Sequence, residues 1–337
     1  MKEKISGDQV RGVITMSDVL VVCHHALLAL ANGQAKNPPR KQSITEDGFH
    51  LEMSAEIRVA DGRLLASGKK VIDERNASDA ERGRALGVRE AAVVLDNPAT
   101  GQPAFTVDAE TITNWRTGAV AALAAGYLTS GPVSRVAIVG TGRTAESIAM
   151  GVDEQLRPDL ISATSRTSER CRAFIDDITP LVHAELKADQ SDIGVLTQSA
   201  DVVFAAVPSP TPIILHEHLG GVRHLGVIAG DPRTRQVSHE VMRDALVIPD
   251  HYEQAQESGE FIHAIDIGEL EHFGLHSNDD GAVFTVADAA AERIPQSGEM
   301  TLAYFTGLGL FDVALGALVV NRTVGGFDDV VTLMGLH

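Results

Sequence analysis

Residues 135–150, RVAIVGTGRTAESIAM, pass from four apolar residues into Gly-Thr-Gly and on into helix-favouring residues. In a strand–turn–helix of the G-x-G-x-x-G/A kind, the first glycine permits the tight turn and the second lets backbone approach a pyrophosphate. The third small residue lets the helix pack on the strand. Gly140, Gly142 and Ala145 hold those places, with Thr141, Arg143 and Thr144 filling the turn. The helix that follows turns its N-terminal N–H groups and positive dipole end toward phosphates. After the next strand, where an NAD site carries Asp or Glu, the chain has Ser165, Arg166 and Thr167. Hydroxyls and a guanidinium suit a 2′-phosphate, which a carboxylate repels. The expected coenzyme is NADP(H), with NAD as the alternative.

Two further residues have the means for chemistry. Asp231 directly follows the apolar run GVIAG, whose last two residues are Ala229 and Gly230. That puts it at the carboxyl end of an expected parallel strand, where open α/β sheets bind ligands; capping a helix beside Pro232 is the competing role. Arg116 lies on an apolar, Ala-rich segment, and a buried arginine without an anionic partner is costly. His24–His25 and His216-Glu217-His218 suggest no metal: adjacent helical histidines diverge by about a hundred degrees, and H-x-H on one loop lacks a convergent third ligand.

The elements that must position these groups follow from periodicity. TMSDVLVVCHHALLALAN, residues 15–32, predicts a helix capped at Ser17 and stopped at Gly33. From His50 to Val107, short alternating runs broken by Asp-Gly and Thr-Gly predict antiparallel sheet. Residues 109–128 predict a long helix, and SGPVS after it a linker at a domain boundary. The runs RVAIVG, LISATS, DVVFAAV, LGVIAG and ALVIPD then predict a parallel, doubly wound sheet. MTLAYFTGLGLFDVALGALVV, residues 300–320, predicts one buried helix that returns to the first domain.

At 337 residues the chain is long enough for two domains. No apolar run is long enough to cross a bilayer, so no membrane partner is expected. The net charge of −18, with acidic residues scattered, argues against nucleic acid. The opening MKEKISGDQV lacks the apolar segment of a secretory signal. Cys23 and Cys171, the two cysteines, suit a reducing compartment, and the expected location is the cytoplasm.

The glycine turn, ITNWRTGAVAALAAGYL, AAVPSPTPII, VIAGD and DHYEQAQESGEF resemble the ornithine cyclodeaminase/mu-crystallin family, from the first helix to the C-terminal helix. The signatures ITxxRTxA and xGxD are more specific than the glycine turn. The resemblance implies an α/β protein in which a Rossmann-type doubly wound domain (119–309) is inserted into an α+β dimerisation and substrate domain (1–118 and 310–337). It also implies a homodimer, its antiparallel sheet pairing or packing with the copy in the second subunit.

Family chemistry passes through a C=N carbon next to a carboxylate. By resemblance, Arg40 in NPPRK and Arg116 would bind the carboxylate of a small imino or amino acid. Lys70 in GKKVID would contact the carboxylate or nitrogen and exchange a proton. Lys69 is its rival, since strand alternation lets only one of the two point inward. Asp231 would bind or deprotonate the substrate nitrogen, Met53 would form an apolar pocket wall, Thr117 would lie near the diphosphate, and Val207, Pro208 and Ser209 beside the nicotinamide ribose.

The chain departs from the family where relatives commonly carry Phe-Lys/Asn-Ser. It has Ala303, Tyr304 and Phe305 there, and the pocket-lining segment ERNASDAERGRALGVRE, residues 74–90, is unusually charged. The expected function is an NAD(P)H-dependent imino acid (ketimine) reductase or amino acid dehydrogenase of open side-chain preference. The alternatives are a redox-neutral cyclodeaminase that keeps NAD bound, and a non-catalytic NADPH-binding protein.

Overall fold

The structure, a computed structural model, describes residues 3–45, 48–75, 88–295, 298–327 and 330. The chain divides into two compact units, residues 1–116 with 308–337, and residues 117–307. The division falls within the helix over 109–128, ahead of SGPVS.

The first unit opens with β1 (Glu3–Ile5), α1 (Gly7–Val13) and α2 (Met16–Ala31), followed by strands β2 (Ala35–Lys36), β3 (Lys41–Thr45), β4 (Gly48–Arg58), β5 (Leu64–Arg75), β6 (Val88–Asp96) and β7 (Pro103–Asp108). They form one sheet in the order β1-β7-β6-β5-β4-β2, with β3 also on β4. Neighbours from β2 to β7 run antiparallel, and β1 joins β7 in parallel. The Asp61-Gly62 turn joins β4 to β5, and Asp61 accepts from the Arg63 N–H. The α2 cap is Thr15, not Ser17. Thr15 accepts from the Asp18 N–H while Asp18 accepts from the Thr15 N–H, a reciprocal box that needs an acid three residues on. Much of the charged segment 74–90 lies outside the described residues.

α3 (Ala109–Leu128) leads into the second unit, where β8 (Arg135–Val139), α4 (Arg143–Leu156), β9 (Leu160–Thr164), α5 (Ser168–Ile178), β10 (Glu185–Ala188), α6 (Ile193–Gln198) and β11 (Val202–Ala205) alternate. β12 (His224–Ile228), α7 (His239–Asp244), β13 (Leu246–Pro249), α8 (Tyr252–Ala255), α9 (Gly259–Ile267), α10 (Val286–Ala290) and β14 (Thr301–Phe305) follow. The strands pair in the order β10-β9-β8-β11-β12-β14-β13, every neighbour parallel. With both faces covered, β8, β11 and β13 are almost wholly apolar and buried. The order reverses beside β8, the switch point at which such sheets open a crevice.

The stretch 300–320 is not one helix. It splits into β14, inside the second sheet, and α11 (Gly309–Val324), in the first unit. The break falls at Thr306-Gly307, where buried Asp250 accepts from both backbone N–H groups and from the Thr306 hydroxyl. α11 then packs across β4 and β5 and on α2, where Arg322 pairs with Asp18 at 2.7 Å. A Cβ on Gly309 would stand 2.6 Å from the Met53 carbonyl oxygen, so only glycine lets the helix begin this close to β4. Among the described residues, no single helix is long and apolar enough to cross a membrane.

Candidate active site

In the first unit, strand alternation separates the two lysines. Lys69 pairs with Glu52 on the outer face, while Lys70 turns inward and is 2 % exposed. Lys70 Nζ lies 3.3 Å from Oδ2 of Asp312 on α11, and Arg116 Nε on α3 lies 3.5 Å from the same oxygen. Thr113, one turn before Arg116, donates to Asp312 Oδ1 at 2.9 Å and accepts from Lys70 Nζ at 3.4 Å. Asp312 is fully buried. Burial pushes the thiol of Cys23 on α2 up; Arg116 lowers it and Asp312 raises it further.

Lys70 and Arg116 are therefore brought together on an aspartate that the sequence analysis does not single out. A signal was present: Asp312 is the one acid in the apolar run LGLFDVALGALVV, and a buried carboxylate requires a buried cation. Met53 is buried and faces Lys70 across the β4–β5 ladder. Arg40, half-buried, stands just before β3. Its loop is tied to the start of α11, where the Leu310 N–H donates to Asn37 Oδ1.

In the second unit the expected coenzyme residues gather at the carboxyl ends of β8, β9, β11 and β12. Gly140 has φ +126°, and a Cβ there would stand 2.6 Å from the Ala206 carbonyl oxygen, so the turn after β8 is pressed against the chain leaving β11. Gly142 caps α4 without a side-chain hydrogen bond, and a Cβ on it would meet nothing within 4 Å. The first-turn N–H groups thus stand beside room for an anion, which fits a pyrophosphate. Ala145 is buried where α4 meets the sheet, and Thr141, Arg143 and Thr144 surround the helix start, with Arg143 exposed.

Ser165 follows β9 and Arg166 is exposed beside it. Thr167 caps α5 by accepting from the Arg170 N–H, so its hydroxyl also has a structural task. Val207 donates its N–H to Gln236 Oε1, Pro208 is exposed, and the Ser209 hydroxyl donates to the Thr211 carbonyl. Gln236 in turn donates to the Ile228 carbonyl and, from its backbone N–H, to Glu260, which accepts from Tyr304 at 2.6 Å. Tyr304 is thus committed inside β14, between Ala303 and Phe305. Burial pushes Glu260 up, opposed by the hydrogen bonds from Tyr304 and Gln236.

Asp231 lies beyond β12, after Ala229 and Gly230. Its Oδ1 accepts from the Arg233 backbone N–H and Nε at 2.9 Å, and its Oδ2 from Arg233 Nη2 at 2.8 Å. With its side chain 32 % exposed, the carboxylate is ion-paired and reaches solvent. Thr117 is half-buried on α3. The His216–His218 motif forms a single turn in which His218 Nδ1 accepts from the Leu215 N–H.

Comparison with known proteins extends these observations. The chain is 23% identical over 324 residues to the alanine dehydrogenase of Archaeoglobus fulgidus, covering 95% of this chain and 94% of the relative. Its fold matches an archaeal alanine dehydrogenase dimer with bound NAD at a TM-score of 0.81, with 21% identity over 96% of each chain. It matches Thermococcus litoralis Δ1-pyrroline-2-carboxylate reductase in complex with NADH and L-proline equally well, at 0.81 and 21% identity over 96% of this chain and 97% of the other. The model of the ornithine cyclodeaminase/mu-crystallin family aligns with residues 5–326. A match that begins in β1 and ends beyond α11 takes in both units, and the chain belongs to the ornithine cyclodeaminase/mu-crystallin family.

Proposed function

We propose that the protein is a nicotinamide-dependent reductase acting at the C=N carbon of a small α-imino acid, with NADP(H) preferred over NAD(H). The observation that carries this reading is the buried meeting of Lys70 and Arg116 on one aspartate. Cationic side chains gathered inside an apolar unit suit a substrate carboxylate. The relatives support it: alanine and pyrroline-2-carboxylate, named in their activities, both place a carbon–nitrogen bond beside a carboxylate.

In the first unit, Arg116, Lys70 and Arg40 hold the carboxylate, and Met53 presents an apolar wall to the side chain. Lys70 can exchange a proton with a neighbouring nitrogen. In the second unit, the turn at 140–145 receives the pyrophosphate on the N-terminus of α4, with Thr117 nearby. Ser165, Arg166 and Thr167 take the 2′-phosphate, and Val207, Pro208, Ser209, Ala229 and Gly230 border the nicotinamide end. When bound, the coenzyme would supply hydride chemistry. Asp231 exchanges a proton at the substrate nitrogen, and Arg233 orients its carboxylate. The working form is a homodimer.

The test is coenzyme consumption by the full chain across cyclic and linear imino acids, with NADPH and NADH in parallel. Oxidation of NADPH by at least one imino acid, faster than of NADH, is the expected result. Ammonia release from ornithine at constant coenzyme absorbance would make the protein a cyclodeaminase instead. NADPH binding with no turnover of any imino acid would make it a binding protein.

A further inference from the structure

We infer that Gln236 is a positioning residue for the nicotinamide half of the coenzyme site: it holds both ends of the arch at 207–214 and ties that arch to the end of β12. The inference rests on the coenzyme reading above. β11 and β12 pair as far as Ala205 and Val227. Beyond that rung the Gln236 side chain joins them: its Oε1 accepts from the Val207 N–H at 3.0 Å, and its Nε2 donates to the Ile228 carbonyl at 2.5 Å. Its main-chain carbonyl accepts from the N–H groups of Ile213 and Ile214, both at 3.0 Å, and the neighbouring Arg235 N–H donates to the Ser209 carbonyl at 2.7 Å. One residue thus grips the chain on either side of Pro208, Pro210 and Pro212, whose rings fix φ. The arch between those anchors is stiff.

Gln236 is itself held. It is 1 % exposed, and its backbone N–H donates to Glu260 Oε1, in the first turn of α9, at 2.6 Å. Tyr304 donates to Oε2 of the same carboxylate at 2.6 Å, so the network reaches β14, the strand paired with β12. On the other side of the chain leaving β11, the turn after β8 presses in: a Cβ on Gly140 would stand 2.6 Å from the Ala206 carbonyl oxygen and 3.1 Å from Val207 Cγ1. Ala206 and Val207 therefore lie between the glycine turn and the Gln236 amide. Loss of that amide frees the border of the nicotinamide end. Ser165, Arg166 and Thr167 follow β9, on the far side of β8 from the network, and are expected to stay in place. The two bonds also call for an amide, which offers an acceptor to Val207 and a donor to Ile228 from one plane. A carboxylate has two acceptors and would set one against the Ile228 carbonyl, whereas a protonated carboxyl reproduces the amide pattern.

The experiment titrates the full-length chain with two ligands: NADPH, read by the fluorescence of its reduced nicotinamide, and adenosine 2′,5′-bisphosphate, which lacks the nicotinamide half, read by calorimetry. If the screen shows a preference for NAD, NADH and ADP take their places. Gln236→Met, of similar length, is expected to weaken NADPH binding about tenfold, the worth of two ordinary hydrogen bonds, and to leave adenosine 2′,5′-bisphosphate binding unchanged. With an imino acid found in the screen, kcat should fall at least about tenfold while the KM for that acid stays level. Gln236→Glu should bind NADPH as tightly as wild type at about pH 5.5 and about tenfold more weakly at about pH 8.5, compared with wild type at each pH. Burial beside Glu260 raises the new carboxyl into that range. This variant decides the matter if Gln236→Met does not fold. Equal losses for both ligands in Gln236→Met, NADPH binding that it leaves unchanged, or a Gln236→Glu affinity that does not change with pH relative to wild type would overturn the inference while leaving the coenzyme reading intact. A wild-type chain that binds neither NADPH nor NADH would overturn that reading instead.

Discussion

The two units equip themselves for chemistry in opposite ways. In the first, candidate side chains are drawn from β5, α3 and α11 into an apolar interior, where Lys70 and Arg116 both lie near Asp312. In the second, the candidate positions are backbone at strand ends, where Gly140 lets the turn press against the chain leaving β11 and Gly142 leaves open space beside the first N–H groups of α4. A site of buried charges is sensitive to the loss of one charge. A site of exposed backbone is sensitive to the gain of a few atoms.

The sharpest test of that contrast is Lys70→Met, close in volume and uncharged. kcat/KM should fall by about a thousandfold, while NADPH affinity, measured by fluorescence titration, stays unchanged. Equal losses in both would erase the distinction between the units.

Added volume in the second unit comes next. Gly142→Val should leave the melting temperature alone, since its φ of −95° suits any residue, yet weaken coenzyme binding about a hundredfold, equivalent to one or two lost charge-assisted hydrogen bonds. Gly140→Ala should instead cost stability, by about 1–3 kcal/mol, before any coenzyme is added, because its Cβ meets the Ala206 carbonyl.

The second unit also buries an ionisable group that makes a pH test possible. His224, wholly buried between β11 and β14 and bonded to the Thr301 hydroxyl, has its pKa pushed down by burial to about 3. Its folded pKa lies below the unfolded value, so stability is full above about pH 6.5 and is lost as pH falls toward 3. Between pH 7 and pH 5 this group alone should remove about 2 kcal/mol, read by urea unfolding. His224→Leu should abolish that part of the slope. Last, Arg166→Ala should weaken NADPH binding about tenfold and NADH binding hardly at all; equal losses would assign Arg166 to something other than the 2′-phosphate.

The same contrast explains what was legible in the sequence. The turn at 140–145 and the strands around it are visible because backbone geometry demands small residues at fixed spacing and buried parallel strands demand apolar runs. Asp312 was hidden because its partners are remote: Thr113 is 199 positions away, and periodicity carries no information at that range. The stretch 300–320 predicts one helix because hydropathy cannot tell a buried strand from a buried helix. Its break is imposed from outside, by Asp250 on Thr306 and Gly307. Thr15 and Ser17 are both able to cap, and only the acid three residues on separates them. For Asp231 the sequence put a carboxylate at a strand end, but its bond to Arg233 depends on a local turn that residue types alone leave open.

The return of α11 to the first unit also bears on how the protein is made. Residues 308–337 leave the ribosome after the whole of the second unit, which can fold as a block while the first still lacks the helix covering β4 and β5. Until then Lys70 and Arg116 lack Asp312 beside them, and the buried face of β4 and β5 lacks its cover. A chain stopped short of α11 would be a finished second unit attached to an unfinished first, prone to capture by chaperones and proteases.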